Sequence, residues 1–156
     1  VGAEKPPSLD IELAWRTHLL HPVIYARACG EGSLVDHIVR DAHVYGGTNR
    51  PAFAFACTDA KGDDQNLGID LVAAMRRQEG FMRRMLRDRP RHESAKAISA
   101  AIDEYREFLE RVAHSQAPLA PSPIVDLVWH THQQFPSRYG VECRHLEGIF
   151  VDHDDL

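Results

Sequence analysis

The sequence predicts a mainly α-helical domain, on three observations. A segment of 23 residues recurs at an offset of 114, each copy with a proline in its middle. Apolar residues between 98 and 112 follow the 3.6-residue helical period. A second long helical pattern, rich in Met, Leu and Arg, precedes them from Leu67.

The repeat pairs PSLDIELAWRTHLLHPVIYARAC (7–29) with PSPIVDLVWHTHQQFPSRYGVEC (121–143), and nine of the 23 positions match without a gap. Both tryptophans fall in register (Trp15 and Trp129), as do Thr17 and Thr131, His18 and His132, Tyr25 and Tyr139, Cys29 and Cys143. Composition bias matches common residues; it does not align every Trp. Within each copy, Pro-Ser before an apolar run signals a helix start, with Ser8 or Ser122 as the cap. Pro22 or Pro136 then stops the helix, because proline disfavours helical geometry in the residue before it. Proline also tolerates a first turn, so a second helix can begin there. Each copy is therefore a helix, a proline corner and a second helix. Two copies of one unit often pack about a pseudo-twofold axis, and on that arrangement His18 and His132 would approach each other.

Between the copies, 33–42 reads as a short helix broken by Gly46-Gly47, PAFAFAC at 51–57 as a strand or buried extended run, and 59–66 as a loop. From Leu67 a helix is expected to place Leu71, Met75, Met82, Met85 and Leu86 on one face and to end at Pro90. Residues 92–115 form the clearest helix, with Ile98, Ala101, Ile102, Tyr105, Phe108, Leu109 and Val112 as a core-facing stripe. These two helices make a central pair. A proline-rich connector spans 113–123, and the apolar Ile149, Phe150 and Val151 read as a buried extended stretch before His153-Asp154-Asp155.

The 156 residues, 44% hydrophobic and 26% charged, suit one globular domain covering 1–156. A net charge of −5 argues against bulk nucleic-acid or membrane binding by charge. No apolar run approaches the ~18 residues of a membrane-spanning helix. Three cysteines without a CxxC favour neither a disulfide framework nor a zinc ribbon, and fit a reducing, cytoplasmic setting. The unusual feature is ten histidines.

On a helix, Asp126 and His130 share a face at i, i+4, whereas His130 and His132 point about 160° apart. The His-Thr-His triplet thus cannot chelate one ion. His132 is duplicated as His18 and packs beside Trp in a structural reading, or belongs to a site shared by both units. His130 is replaced by Arg16 in the first unit, as a site grafted onto one copy would be. Asp126 would orient its ring. A third cluster, Cys143, His145, His153, Asp154 and Asp155, offers imidazole, thiolate and carboxylate suited to zinc or iron. Its spacing matches no closed zinc pattern. A turn at the chain's end explains it equally. His21, His37, His43, His92 and His114 read as background. Seven arginines in 76–91 read as a solvated amphipathic face rather than an RNA or phosphate site.

The string DLVWHTHQQFPSRY followed by LEGIFVDHDD resembles the glycine-rich domain-containing protein family. The pattern falls on Asp126, Leu127, Trp129, His130, Thr131, His132, Pro136, Tyr139, His153, Asp154 and Asp155. GIDLVAAMRRQEGFMRRM resembles a second family motif on Asp70, Leu71, Val72, Ala74, Arg77, Gln78 and Phe81, and ELAWRTHLLHPVIY an earlier Trp-x-x-His copy. The resemblance implies an all-α domain and supplies little mechanism. The glycine-rich tail of the family is absent here, so the chain reads as a fragment or a minimal member.

The resulting expectation is a small His-rich helical domain binding a divalent metal, zinc or iron, and acting as a metal-assisted enzyme on a small molecule. His130 and Asp126 are its candidate catalytic residues. His18, His130, His132, His153, Asp154 and Asp155 are the candidate ligands, with Trp15, Trp129, Tyr25, Tyr139, Cys143, His145 and Arg16 around them. The competing expectation is a non-catalytic module that binds a protein, or less readily RNA, through its arginine face, its Trp-His corners being structural.

Overall fold

The structure, a computed structural model, describes residues 9–30, 34–36, 68–92, 94–146 and 150–153. Among the described residues six helices follow one another: α1 (Leu9–Leu19), α2 (Pro22–Cys29), α3 (Leu71–His92), α4 (Ala95–His114), α5 (Pro123–Gln133) and α6 (Pro136–His145). Among the described residues there is no strand, so the protein is mainly α. No described helix is long and apolar enough to cross a membrane.

Helices α1–α2 and α5–α6 share several local features. Pro22 and Pro136 each sit in the first turn of the second helix, where a missing N–H costs nothing. Trp15 Nε1 donates to Tyr25 Oη at 3.3 Å, and Trp129 Nε1 to Tyr139 Oη at 3.0 Å. The tyrosine hydroxyls in turn donate to backbone carbonyls, Tyr25 to Val35 at 3.1 Å and Tyr139 to Val151 at 2.7 Å. Thr17 and Thr131 each donate to the carbonyl four residues back. The units also exchange caps. Asp36, just after the first unit, accepts from the Ser137 amide at 2.8 Å and from the Ser137 hydroxyl, at the start of α6. Asp152, just after the second, accepts from the Val23 amide at 3.4 Å, at the start of α2. A carboxylate at a helix N-terminus satisfies an orphan donor and complements the helix dipole.

The core cluster gathers Tyr105, Phe108 and Leu109 of α4, Val125 and Trp129 of α5, Tyr139 and Cys143 of α6, and Val151. It thus lies between α4 and the second unit, whereas α1 packs chiefly on α3. Asp70 caps α3 through the Ala73 amide at 2.9 Å, and Ser94 caps α4 through Ala97 at 3.1 Å.

Several expectations change. The buried face of α3 is Ala74, Gln78, Phe81 and Met85; Met82 and Leu86 are exposed, at 38% and 53%. Hydropathy favours Met and Leu, but the face is set by what α3 meets, which is α1 and the His130 ring as well as hydrocarbon. Helix α3 runs past Pro90 to His92, since a proline in the last turn forfeits a single ladder bond. Ser122 stands at the N-cap of α5, yet its hydroxyl turns to Glu104 at 3.4 Å rather than capping. Ile98, at the start of the α4 stripe, is 44% exposed. Residues 34–36 are not helical, and the remainder of 33–42, with 51–57, lies outside the described residues. Val151 is buried in a non-helical segment, as the apolar tail predicts.

Candidate metal centre

Helix α5 presents Asp126 and His130 one turn apart. The segment 150–153 brings His153 over them. His130 Nε2 stands 3.0 Å from His153 Nε2, and Asp126 Oδ1 lies 3.3 Å from the first and 3.4 Å from the second. Among the described residues this is the one group of three or more such side chains whose ligand atoms all lie within 4.8 Å of one another.

The placement of His153 follows from the Trp–Tyr corner. Trp129 holds the Tyr139 hydroxyl, which holds the Val151 carbonyl, and two residues later His153 packs edge-on to the Trp129 ring at 4.7 Å. His130 is fixed from the other side by Phe81 of α3, ring centroids 4.5 Å apart. Both imidazoles are buried. Burial alone would raise the Asp126 carboxyl. Hydrogen bonds and charge from His130 and His153 outweigh it and hold that carboxyl well below the usual carboxylate range. The three groups open onto a cleft of about 570 Å³, flanked by Arg77, Gln78 and Phe81 of α3 and by Pro118 and Pro121 of the connector.

Asp126 does not stand behind His130 as an orienting carboxylate. An orienting group takes the ring nitrogen remote from the site; Asp126 meets Nε2, the same nitrogen that faces His153. His132 points elsewhere, as the helical angle requires. Its Nδ1 lies 2.8 Å from the Tyr105 hydroxyl and its Nε2 faces Glu142 at 3.4 Å. Burial lowers its pKa, opposed by the Glu142 charge. His18 lies edge-on to Tyr25 at 5.1 Å, the counterpart of His132 and Tyr139 at 5.0 Å. Neither His18 nor His132 joins the Asp126 group. Arg16 pairs with Glu12 at 2.9 Å. Cys143 is fully buried in the core, and burial pushes its thiol pKa up, which disfavours the thiolate a metal needs. His145 is exposed. His21 is buried at the N-cap of α2. Asp154 and Asp155 lie outside the described residues. On α3, Arg83 pairs with Glu79 at 2.6 Å and Arg87 with Asp88 at 3.5 Å, which fits a solvated face.

Gln78 and Phe81 beside the site are marked in the sequence by the family motif alone. A signal for His153 does exist in the sequence. Val-Asp-His occurs at 35–37 and again at 151–153, so the repeat extends past Cys29 and Cys143 with two extra residues in the second copy.

A family model described as glycine-rich domain-containing protein-like matches residues 49–141, and the chain belongs to this family. The match takes in Asp126 and His130 and stops short of His153. Glycine-rich domain-containing proteins 2 and 1 of Arabidopsis thaliana are each 25% identical, over 175 and 177 residues. The alignments cover 96% of this chain but only 22% and 21% of those proteins, so the chain spans about a fifth of their length. No solved structure matches.

Proposed function

We propose that this member of the family binds one divalent metal ion through Asp126 Oδ1, His130 Nε2 and His153 Nε2. The observation that carries the reading is the triangle of 3.0, 3.3 and 3.4 Å. Ligand atoms about 2.1 Å from a common ion lie about 3.0 Å apart at right angles and about 3.4 Å apart at tetrahedral angles. Without an ion the arrangement is awkward, because two Nε2 atoms and one carboxylate oxygen must share protons in a buried space. Two imidazoles and a carboxylate suit zinc or iron and leave positions open. In this reading the open side faces the cleft, where a bound ion would polarise a carbonyl or activate water on a small molecule. Asp126 and His130 act as ligands. The reciprocal bonds of Asp36 and Asp152 support a twofold relation between the units, with the ligand set on the second alone.

Elemental analysis of protein purified without added metal tests this, together with thermal unfolding before and after zinc is added. The reading predicts close to one ion per chain and a rise in Tm that His153→Ala abolishes. Metal-free protein whose Tm ignores zinc would contradict it.

A further inference from the structure

On the opposite side of α5 from the metal group lies a second cleft, of about 700 Å³ and mostly apolar. Its walls are Ile98, Ile102 and Leu109 of α4, Leu127 and Val128 of α5, and Phe135 at the proline corner. This explains why Ile98, in phase with the core stripe of α4, is nearly half exposed: that end of the stripe lines a cleft instead of a neighbour. The cleft is within the range of small-molecule sites, which combine apolar walls with a few convergent polar groups. Here the polar groups are Tyr105, His132 and Glu142, joined in one chain: the Tyr105 hydroxyl lies 2.8 Å from His132 Nδ1, and His132 Nε2 faces Glu142 at 3.4 Å. The charged side chains lining it are three arginines, Arg89, Arg106 and Arg138, against one carboxylate, Glu142. Arg106 also pairs with Asp103 on its own helix at 3.0 Å. On a chain of net charge −5, this concentration of arginine favours an anion.

We propose that this cleft binds a free amphiphilic acid, an apolar chain ending in a carboxylate, with the chain along Ile98, Ile102 and Leu127 and the carboxylate at Arg106 and Arg138. The site is separate from the metal group and does not depend on it.

Titration calorimetry of the metal-free and zinc-treated protein with dodecanoate, kept below its micelle concentration, tests the proposal. Saturable one-to-one binding is expected in both preparations. Dodecan-1-ol and dodecylammonium should bind roughly tenfold more weakly or not at all, because charge complementarity selects the acid. Arg138→Gln should weaken dodecanoate by a similar factor, and Ile98→Asp, on an exposed stretch of α4, should abolish it. Circular dichroism verifies that each variant is folded; should Ile98→Asp fail to fold, Arg138→Gln and Arg106→Gln carry the test from exposed positions. No dodecanoate binding, equal binding of dodecylammonium, or affinity unchanged in the folded variants would overturn the proposal. So would binding to anionic phospholipid vesicles without binding of free dodecanoate.

Discussion

In the first unit Glu12 and Arg16 stand one turn apart on α1 and form an ion pair at 2.9 Å. In the second, Asp126 and His130 hold the same two positions on α5, 3.3 Å apart, and His153 closes over them. The surroundings match: the same Trp–Tyr bond, the same tyrosine-to-carbonyl bond, the same threonine back-bond. The chemical difference lies in the pair's second member, arginine in one unit and imidazole in the other. Arginine keeps its proton at any ordinary pH and offers no lone pair, so the first unit neutralises its buried Glu12 internally. Imidazole offers a lone pair, so the second unit leaves its carboxylate partnered by two groups that can both turn to a cation. One scaffold thus supports a self-contained salt bridge in one copy and a candidate ligand set in the other.

The largest test of that contrast lies in the core. Trp129 is buried among Phe108, Tyr139 and His153, whereas Trp15 is half-buried. Trp129→Ala should cost about 3–5 kcal/mol, as large-to-small core changes do, and Trp15→Ala clearly less, read from urea unfolding at constant m. Equal losses would mean the two corners bear the fold alike.

The next test runs in the opposite direction. Gln133 is fully buried, and neither amide atom finds a hydrogen-bond partner among the described residues; its counterpart in the first unit is Leu19, equally buried. Gln133→Leu should stabilise the protein by about 1–3 kcal/mol by removing an unsatisfied polar group. A destabilised variant would show that the amide is satisfied in solution.

Tyr139→Phe removes the donor to Val151 and the acceptor for Trp129. A loss of about 1–2 kcal/mol is expected, with weakened zinc retention because His153 follows two residues on. Tyr25→Phe should leave zinc retention intact; an equal fall in both would sever the link between the second corner and the site. Smaller still are the exchanged caps. Asp36→Ala should cost about 1 kcal/mol, and Asp152→Ala less, since Asp36 holds two bonds and Asp152 a single one of 3.4 Å.

The mildest effect concerns pH. Burial lowers the pKa of His132, so the unfolded chain binds a proton there that the folded one resists. Stability from this group is complete above the unfolded value of about 6.5 and is lost as pH falls below it. His132→Gln should flatten that part of the stability–pH curve, and an unchanged slope would remove His132 from the account.

Much of this was legible in the sequence. The paired prolines and tryptophans locate both corners because the two recur in register: a proline opens the second helix of each unit, and a tryptophan, a large apolar body with a donor, precedes it. The angle between His130 and His132 follows from helix geometry alone. The residues of the site were named from the sequence, but their grouping was not. Asp126 and His130 are neighbours on one helix, but His153 lies 23 residues from His130 on a segment without regular structure, where no period predicts direction. Duplication drew His18 and His132 into the ligand set, although in both units that position faces a tyrosine. On α3, hydropathy selected Met82 and Leu86 over Gln78 and Phe81, because what lines a buried polar site is not chosen for transfer free energy.

The most direct test of the central claim rewrites the second unit in the terms of the first. His130→Arg places at α5 the side chain that pairs with Glu12 at α1, and Asp126 remains to receive it. Metal content per chain, measured after loading with zinc and exhaustive dialysis, should fall from one ion in the natural protein to none in the folded variant. Retention of the same ion by that variant would contradict the assignment of Asp126, His130 and His153 as the metal's ligands.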